Sequence, residues 1–187
     1  MRNLLLTMFL LLSSHSAYAC YDSGRSDKAN FDNCMAQAQQ GNAFVQSNLG
    51  ILYENGRGVT QDYKQAVKWY RKAAEQGIAQ AQYNLGNMYY DGRGITQHYV
   101  SAHMWWNIAA SSGHKSATTN RDLVAKEMSP SQIEKAQDMA REWTVKNQLS
   151  QNMGNPKPQR TLKLDLLKLY DDANKNYTGL KNYLKEF

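Results

Sequence analysis

The sequence predicts an all-α protein, an α/α solenoid of helix pairs with a cap at each end, and two observations carry that expectation. The stretch between Gly41 and Gly113 repeats itself at an offset of 36 residues: NAFVQSNLGILYENGRGVTQDYKQAVKWYRKAAEQG ends at Gly77 and IAQAQYNLGNMYYDGRGITQHYVSAHMWWNIAASSG ends at Gly113. Within each copy, apolar and small residues recur at helical spacing on both sides of a Gly-Arg-Gly break. A period of this length marks stacked two-helix units, none of which covers its apolar face without a neighbour.

The 187 residues suffice for one domain with extensions, and 42% apolar content with a mean hydropathy of −0.70 describes a soluble chain. The formal charge is +6. No Lys/Arg run reaches five residues, and the bases are interleaved with acids and amides, which predicts a mixed solvated face and no nucleic-acid partner. An acidic partner or an anionic envelope surface is the other reading of the same excess.

Residues 1–19, MRNLLLTMFLLLSSHSAYA, join a basic start at Arg2 to an apolar run from Leu4 to Leu12 and small residues at Ala17 and Ala19. That is the pattern of a secretory signal peptide, cut after Ala19. The run is far shorter than the roughly 20 residues a bilayer-spanning helix takes, so no integral membrane segment is expected, and the destination is the periplasm or the medium. Removal of Arg2 leaves the exported chain at +5.

The two cysteines, Cys20 and Cys34, fall early in the exported chain. An oxidising compartment favours their pairing, which closes a 15-residue loop. The competing reading is a lipoprotein with Cys20 lipidated just past the cut. Ala17 then stands where a lipobox has Leu, Tyr18 where it has a small residue, and Cys34 is left alone.

Residues 20–41 are expected to form the N-terminal cap. Set 36 residues ahead of the second helix of the first copy, SDKANFDNCMAQAQQG places Phe31 under Val67, Ala38 under Ala74 and Gly41 under Gly77, which predicts one helix of a half-repeat. The full units follow over 42–77 and 78–113. In their first helices Ala43, Gln46, Leu49, Gly50 and Tyr53 recur as Ala79, Gln82, Leu85, Gly86 and Tyr89. A glycine inside a helix costs about 1 kcal/mol relative to Ala, so Gly50 and Gly86 predict a place where a neighbouring helix comes too close for a Cβ. Gly56-Arg57-Gly58 and Gly92-Arg93-Gly94 end these helices. In the second helices Tyr63, Ala66, Trp69, Ala73 and Ala74 recur as Tyr99, Ala102, Trp105, Ala109 and Ala110, the alanines admitting the partner helix and the aromatics filling the space between units. Gly77 and Gly113 close them.

The string NLGxxYxxGRGxxxxYxxAxxWxxxAAxxG, present twice in tandem, resembles the Sel1-like repeat (SLR) family, an α/α relative of the tetratricopeptide repeat (TPR) with a longer loop. The resemblance covers residues 42–113 and extends weakly to both sides. It implies a right-handed superhelix of Sel1-like/TPR-like helix pairs, first helices lining a concave surface, another protein or peptide as partner, and neither enzymatic activity nor a cofactor. Small exported members of the family can serve as immunity proteins against a periplasm-delivered toxin. A different class, an enzyme or accessory acting on β-lactams or peptidoglycan, is suggested by cysteine-rich members. Those carry a cysteine pair in every repeat, whereas both cysteines here precede the repeats.

Beyond Gly113, SATTNRDLVAKEMSPSQIEKAQDMAREW is similar to the segment that closes bacterial members of the family, so residues 114–149 are expected as capping helices. Ala117 and Asn120 keep register with Ala81 and Asn84, while Arg121 and Asp122 stand where Leu and Gly are expected, as a terminal helix with no following unit allows. Ser129-Pro130-Ser131-Gln132 predicts a helix start with a capping box. Ile133, Ala136, Met139, Ala140 and Trp143 supply the buried face of that helix. Residues 150–160 read as a linker. In 161–187 a stripe from Leu162 through Leu166, Leu169, Ala173, Tyr177, Leu180 and Leu184 to Phe187 predicts an amphipathic helix that folds back on the stack or mediates self-association.

The histidines are His15, His98, His103 and His114, and no H-E-x-x-H, C-x-x-C, phosphate-loop or G-x-S-x-G pattern occurs, so neither a metal nor a catalytic site is expected. Candidate partner-binding residues lie on the first helices, where Asn48, Asn84 and Asn120 recur at the repeat spacing and Asn87 sits one position past the Leu-Gly pair. An amide offers donor and acceptor together, which suits the backbone of an extended segment and equally suits tying down a neighbouring loop. Tyr90, in the place of Glu54, adds an aromatic contact. Arg57 and Arg93 meet either acidic groups on a ligand or carbonyls of the chain itself.

Overall fold

The structure, a computed structural model, describes residues 20–153, so the expectations for residues 1–19 and 161–187 lie outside the described residues. Two compact units divide the chain, Met1–Gln137 and Asp138–Phe187. The first contains α1 (Asp27–Gln39), α2 (Ala43–Asn55), α3 (Tyr63–Glu75), α4 (Ala79–Asp91), α5 (Tyr99–Ser111) and α6 (Lys115–Val124), then a 3-10 turn at Ala125–Glu127 and the start of α7 (Pro130–Met153). No strand occurs among the described residues. From α1 to α6 each helix packs on the next, the order of an α/α solenoid.

Local chemistry sets the helix ends. Ser26, Asn42 and Asp62 each turn a side-chain oxygen onto free amides of the first turn of α1, α2 and α3. His98 occupies the place of Asp62 one repeat later, and its Nδ1 accepts from the Ser101 amide at 3.3 Å. His114 caps α6 in the same way through the Ala117 amide. Two of the histidines are therefore helix caps. α2 and α4 stop at Gly56 and Gly92, both left-handed, whose amides return to Leu52 and Met88.

Packing explains the other glycines of the motif. A Cβ on Gly50 would lie 2.5 Å from the ring of Tyr70, and one on Gly86 would lie 2.5 Å from Nε1 of Trp106. The close neighbour is thus an aromatic ring of the second helix in the same unit, not the backbone of another helix. Gly58 and Gly94 have a different task. Their absent Cβ atoms would fall 2.1 Å from the Asp27 carbonyl oxygen and 2.3 Å from the Tyr63 carbonyl oxygen, so each loop rests on the first turn of the preceding second helix and sets the spacing between units. Ala66, Ala73, Ala74, Ala102 and Ala109 are fully buried where helices meet, with Trp69 and Trp105 nearly so.

Cys20 and Cys34 form a disulfide, which resolves the two readings of Cys20 in favour of the bridge, because the same sulfur cannot also carry a thioether-linked lipid. Closing a loop of this length stabilises the fold by roughly 3 kcal/mol. The bridge lies in an apolar cluster with Phe31, Val45, Leu49, Leu52 and Trp69. Phe31 meets Tyr53 edge-on at 5.3 Å, so the half-repeat covers the open face of the first unit.

At the start of α7 the capping box forms reciprocally, Gln132 N–H donating to Ser129 Oγ at 3.3 Å and Ser129 N–H donating to Gln132 Oε1 at 2.8 Å. Ala136 is buried. In the second unit α7 continues from Asp138 to Met153, beyond the linker start expected at residue 150. The first strong breakers, Gly154 and Pro156, come only after that point. Within this part Ala140 is buried and Thr144 Oγ1 donates to the Ala140 carbonyl at 2.8 Å.

Candidate protein-interaction site

The two junctions between successive units place equivalent residues in different states. At the first, Tyr70 on α3 lies over Gly50 and donates its hydroxyl to Glu54 Oε2 at 2.6 Å. Arg93 reaches back from the following loop, and its Nη1 donates to Glu54 Oε1 at 3.0 Å. The same guanidinium lies 5.6 Å from the ring centre of Tyr63 and binds Asp91 through Nε and Nη2. Asn84 bonds the Tyr70 hydroxyl and accepts from Gln80 Nε2 at 3.0 Å. Burial first, and then the bond to Glu54, push the Tyr70 phenol far above its ordinary range, which keeps it a neutral donor. Both oxygens of Glu54 are occupied and the junction is closed.

One repeat later Trp106 takes the place of Tyr70 and lies over Gly86. Its Nε1 donates to Asn87 Oδ1 at 3.1 Å and to the Tyr83 carbonyl at 3.2 Å. Asn120, from α6, donates more loosely to Asn87 Oδ1 at 3.4 Å and to the Tyr83 hydroxyl at 3.5 Å. Tyr90, in the place of Glu54, stacks on Tyr99 with ring centres 5.4 Å apart and stands tilted to Trp106 at 5.6 Å. Its hydroxyl reaches Glu127 Oε1 at 3.4 Å. Tyr83, Asn87, Tyr90, Trp106 and Asn120 line a half-open depression of about 300 Å³, which Asp91, Leu123 and Val124 complete. Leu123 is 53% exposed at its edge.

The anticipated residues are therefore divided. Asn87, Tyr90 and Asn120 come together at the depression, Asn84 and Arg93 belong to the closed junction, and Asn48 is half-buried on α2. Arg57 is remote from both, donating to the Tyr21 hydroxyl and to Asp27 near the N-terminal cap. The partners of the two loop arginines are carboxylates and a phenol of the chain itself, not backbone carbonyls. Tyr70, Tyr83, Trp106, Leu123 and Glu127 were not anticipated. The pairing of Tyr70 with Trp106 at the repeat spacing was a readable signal, whereas the approach of Glu127 depends on a turn outside the repeat.

His103 also lies beyond the sequence expectation. It replaces Val67 at a core position of α5, is 3% exposed, and its Nδ1 has no hydrogen-bond partner. Burial, reinforced by the charge of Arg121 and opposed by Asp122, depresses its pKa below 6.5, so the ring is neutral in the fold near pH 7.

A family model described as Sel1 repeat matches residues 43–78 and 79–114. A Sel1 repeat protein from Oxalobacter formigenes, known from its crystal structure, is similar at 33% identity and a TM-score of 0.50 over 52% of this chain and 73% of that one. The chain belongs to the Sel1 repeat family. Another Sel1 repeat structure, c5321, a protective antigen present in uropathogenic Escherichia coli strains and displaying an SLR fold, is similar at 34% identity and a TM-score of 0.61 over 62% of this chain. The match spans 25% of the c5321 chain. None of the curated proteins matches this chain. Sel1 repeats generally mediate protein–protein interaction, and the fold is typically a non-enzymatic scaffold. No helix among the described residues is long and apolar enough to cross a membrane.

Proposed function

We propose that this Sel1 repeat protein is exported through residues 1–19 and acts in the periplasm as a protein-interaction module, binding an extended segment of a partner at the depression between α4 and α6. The open junction around Trp106 carries this reading. Asn87 Oδ1 accepts from Trp106 and Asn120, and the two side-chain amides together bring donors and acceptors to the depression that suit a peptide group. Leu123 and the faces of Tyr90 and Trp106 add apolar area for a side chain of the same segment. The disulfide supports an oxidising compartment.

A photoreactive amino acid placed at position 123 in living cells is expected to yield a discrete protein adduct, while the same residue at exposed Lys68 on α3 yields none of that mass. Equal adducts from both positions would remove the depression from the account. Intact mass of the purified protein tests export, the expected species lacking residues 1–19 and retaining the bridge.

A further inference from the structure

We infer that the partner segment presents an arginine to the depression beside Tyr90, where aromatic rings and carboxylates stand together as they do around the chain's own Arg93 one repeat earlier. The inference rests on the reading of this depression as the partner site, and the first junction supplies the template. There an aromatic ring, Tyr63, and a carboxylate, Glu54, hold a guanidinium delivered by the loop of the next unit. At the second junction Tyr99 stands where Tyr63 stands, but Tyr90 stacks on it with ring centres 5.4 Å apart, so the rings that face the depression are those of Tyr90 and Trp106. Ser129 falls 36 residues after Arg93, and the chain leaves α6 through the turn Ala125–Glu127. That turn brings an acid, Glu127, to Tyr90 where the earlier loop brings a base to Glu54.

The depression has the chemistry of a guanidinium site. Tyr90 and Trp106 offer tilted aromatic faces, Asp91 lines the depression, and Glu127 stands next to it at the Tyr90 hydroxyl. Aromatic faces bordered by carboxylates attract cations, and a planar guanidinium stacks on a ring while bonding a carboxylate in its plane. Only Asp91 Oδ2 is engaged by Arg93, and Glu127 receives a single long bond from Tyr90, so both acids retain acceptor capacity. Tyr90 has its pKa raised, first by the charge of Glu127, as a locally negative site requires. The nearby arginines are already engaged, Arg93 by Asp91 and Glu54 and Arg121 by Asp122 and Asn107. A negative spot on a chain of net charge +6 selects a basic side chain over an acidic one.

The test selects binders from a library of random dodecapeptides displayed against the disulfide-bonded full chain, and locates them by photocrosslinking from position 123. The expected result is a shared arginine among peptides that crosslink there. Its replacement by citrulline, which keeps the shape and removes the charge, and Glu127→Gln in the protein are each expected to weaken binding about tenfold. Together they should weaken it by much less than the product of the two effects, since they remove one interaction. Unchanged thermal unfolding of Glu127→Gln confirms that the fold is retained. Peptides that crosslink at position 123 and bind equally well with citrulline overturn the arginine while leaving the proposed function standing. Peptides that never reach position 123 overturn both.

Discussion

The first and second repeats use one backbone arrangement with different polar outcomes. In the first repeat, Gln46 Nε2 donates to the Ala38 carbonyl at 3.0 Å, and Gln46 Oε1 accepts from Gln76 Nε2 at 2.7 Å. In the second repeat, Gln82 Nε2 donates to the Ala74 carbonyl at 3.2 Å, but Gln82 Oε1 is buried without a partner, and the shorter Ser112 stands where Gln76 stands. Glu54 is saturated by Tyr70 and Arg93, while Tyr90 borders an open depression. Val67 is apolar, while His103 buries an unsatisfied nitrogen. Among the described residues the buried side-chain atoms without a partner are Trp69 Nε1 in the first repeat and Gln82 Oε1 and His103 Nδ1 in the second, so the second repeat carries more unused polar capacity. In a repeat protein each interface is made only with its nearest neighbour, so satisfaction at one junction does not pass to the next, and the junction facing the cap is free to specialise.

The largest expected effect breaks the spacing that the motif imposes. Gly94→Ala places a methyl 2.3 Å from the Tyr63 carbonyl oxygen at a φ of +70°, whereas Gly77→Ala at +88° meets nothing within 4 Å. Chemical denaturation is expected to show a loss of about 3 kcal/mol or more for Gly94→Ala and only about 1 kcal/mol for Gly77→Ala, the ordinary cost of a left-handed residue. Equal losses would mean that the loop does not set the distance between units.

Arg93→Ser converts the first junction to the residue found at the second. Removing a partly exposed ion pair is expected to lower stability by about 1 kcal/mol, measured in the same way, and to open at Glu54 a depression like that at Tyr90. Ser112→Gln makes the reverse change. Ser112 has φ −89° and ψ 11°, nearly the −88° and 6° of Gln76, so the longer side chain should reach Gln82. A gain of about 1 kcal/mol is expected from satisfying the buried oxygen, and a loss would show that the register of the two pairs differs.

The smallest effect concerns pH. Because burial holds His103 neutral in the fold while the unfolded chain takes up a proton near 6.5, its contribution is fully present above that pH and is lost as pH falls below it, until the depressed folded pKa is reached. The slope is at most about 1.4 kcal/mol per pH unit. His103→Val, which installs the residue of the first repeat, is expected to flatten the pH dependence of stability just below pH 6.5. An unchanged slope would assign the acid response to other groups.

Much of the fold was legible because its signals are local. The period of 36, the left-handed glycines after α2 and α4, the Ser129–Gln132 box and the early cysteine pair each depend on residues close in sequence or on simple recurrence. The site was legible only in part. Three equivalent asparagines have three environments, Asn48 half-buried, Asn84 tied to Tyr70 and Gln80, and Asn120 at the open depression, since Tyr70 lies 14 positions from Asn84 and Tyr83 lies 37 from Asn120. Arg57 and Arg93 share a motif position and yet bind different acids, because Asp27 at the start of α1 stands where Tyr63 stands at the start of α3, so Arg57 meets a carboxylate where Arg93 meets a ring.

Residue order alone was enough for the repeat, its helix boundaries and the caps, since propensity, capping and glycine conformation act over a few residues. Which of two nearly identical units keeps an accessible polar pocket was settled by packing across units. There a single reach, Arg93 to Glu54 in one case and Glu127 to Tyr90 in the other, depends on the distance between helices and on the charge that the following segment delivers.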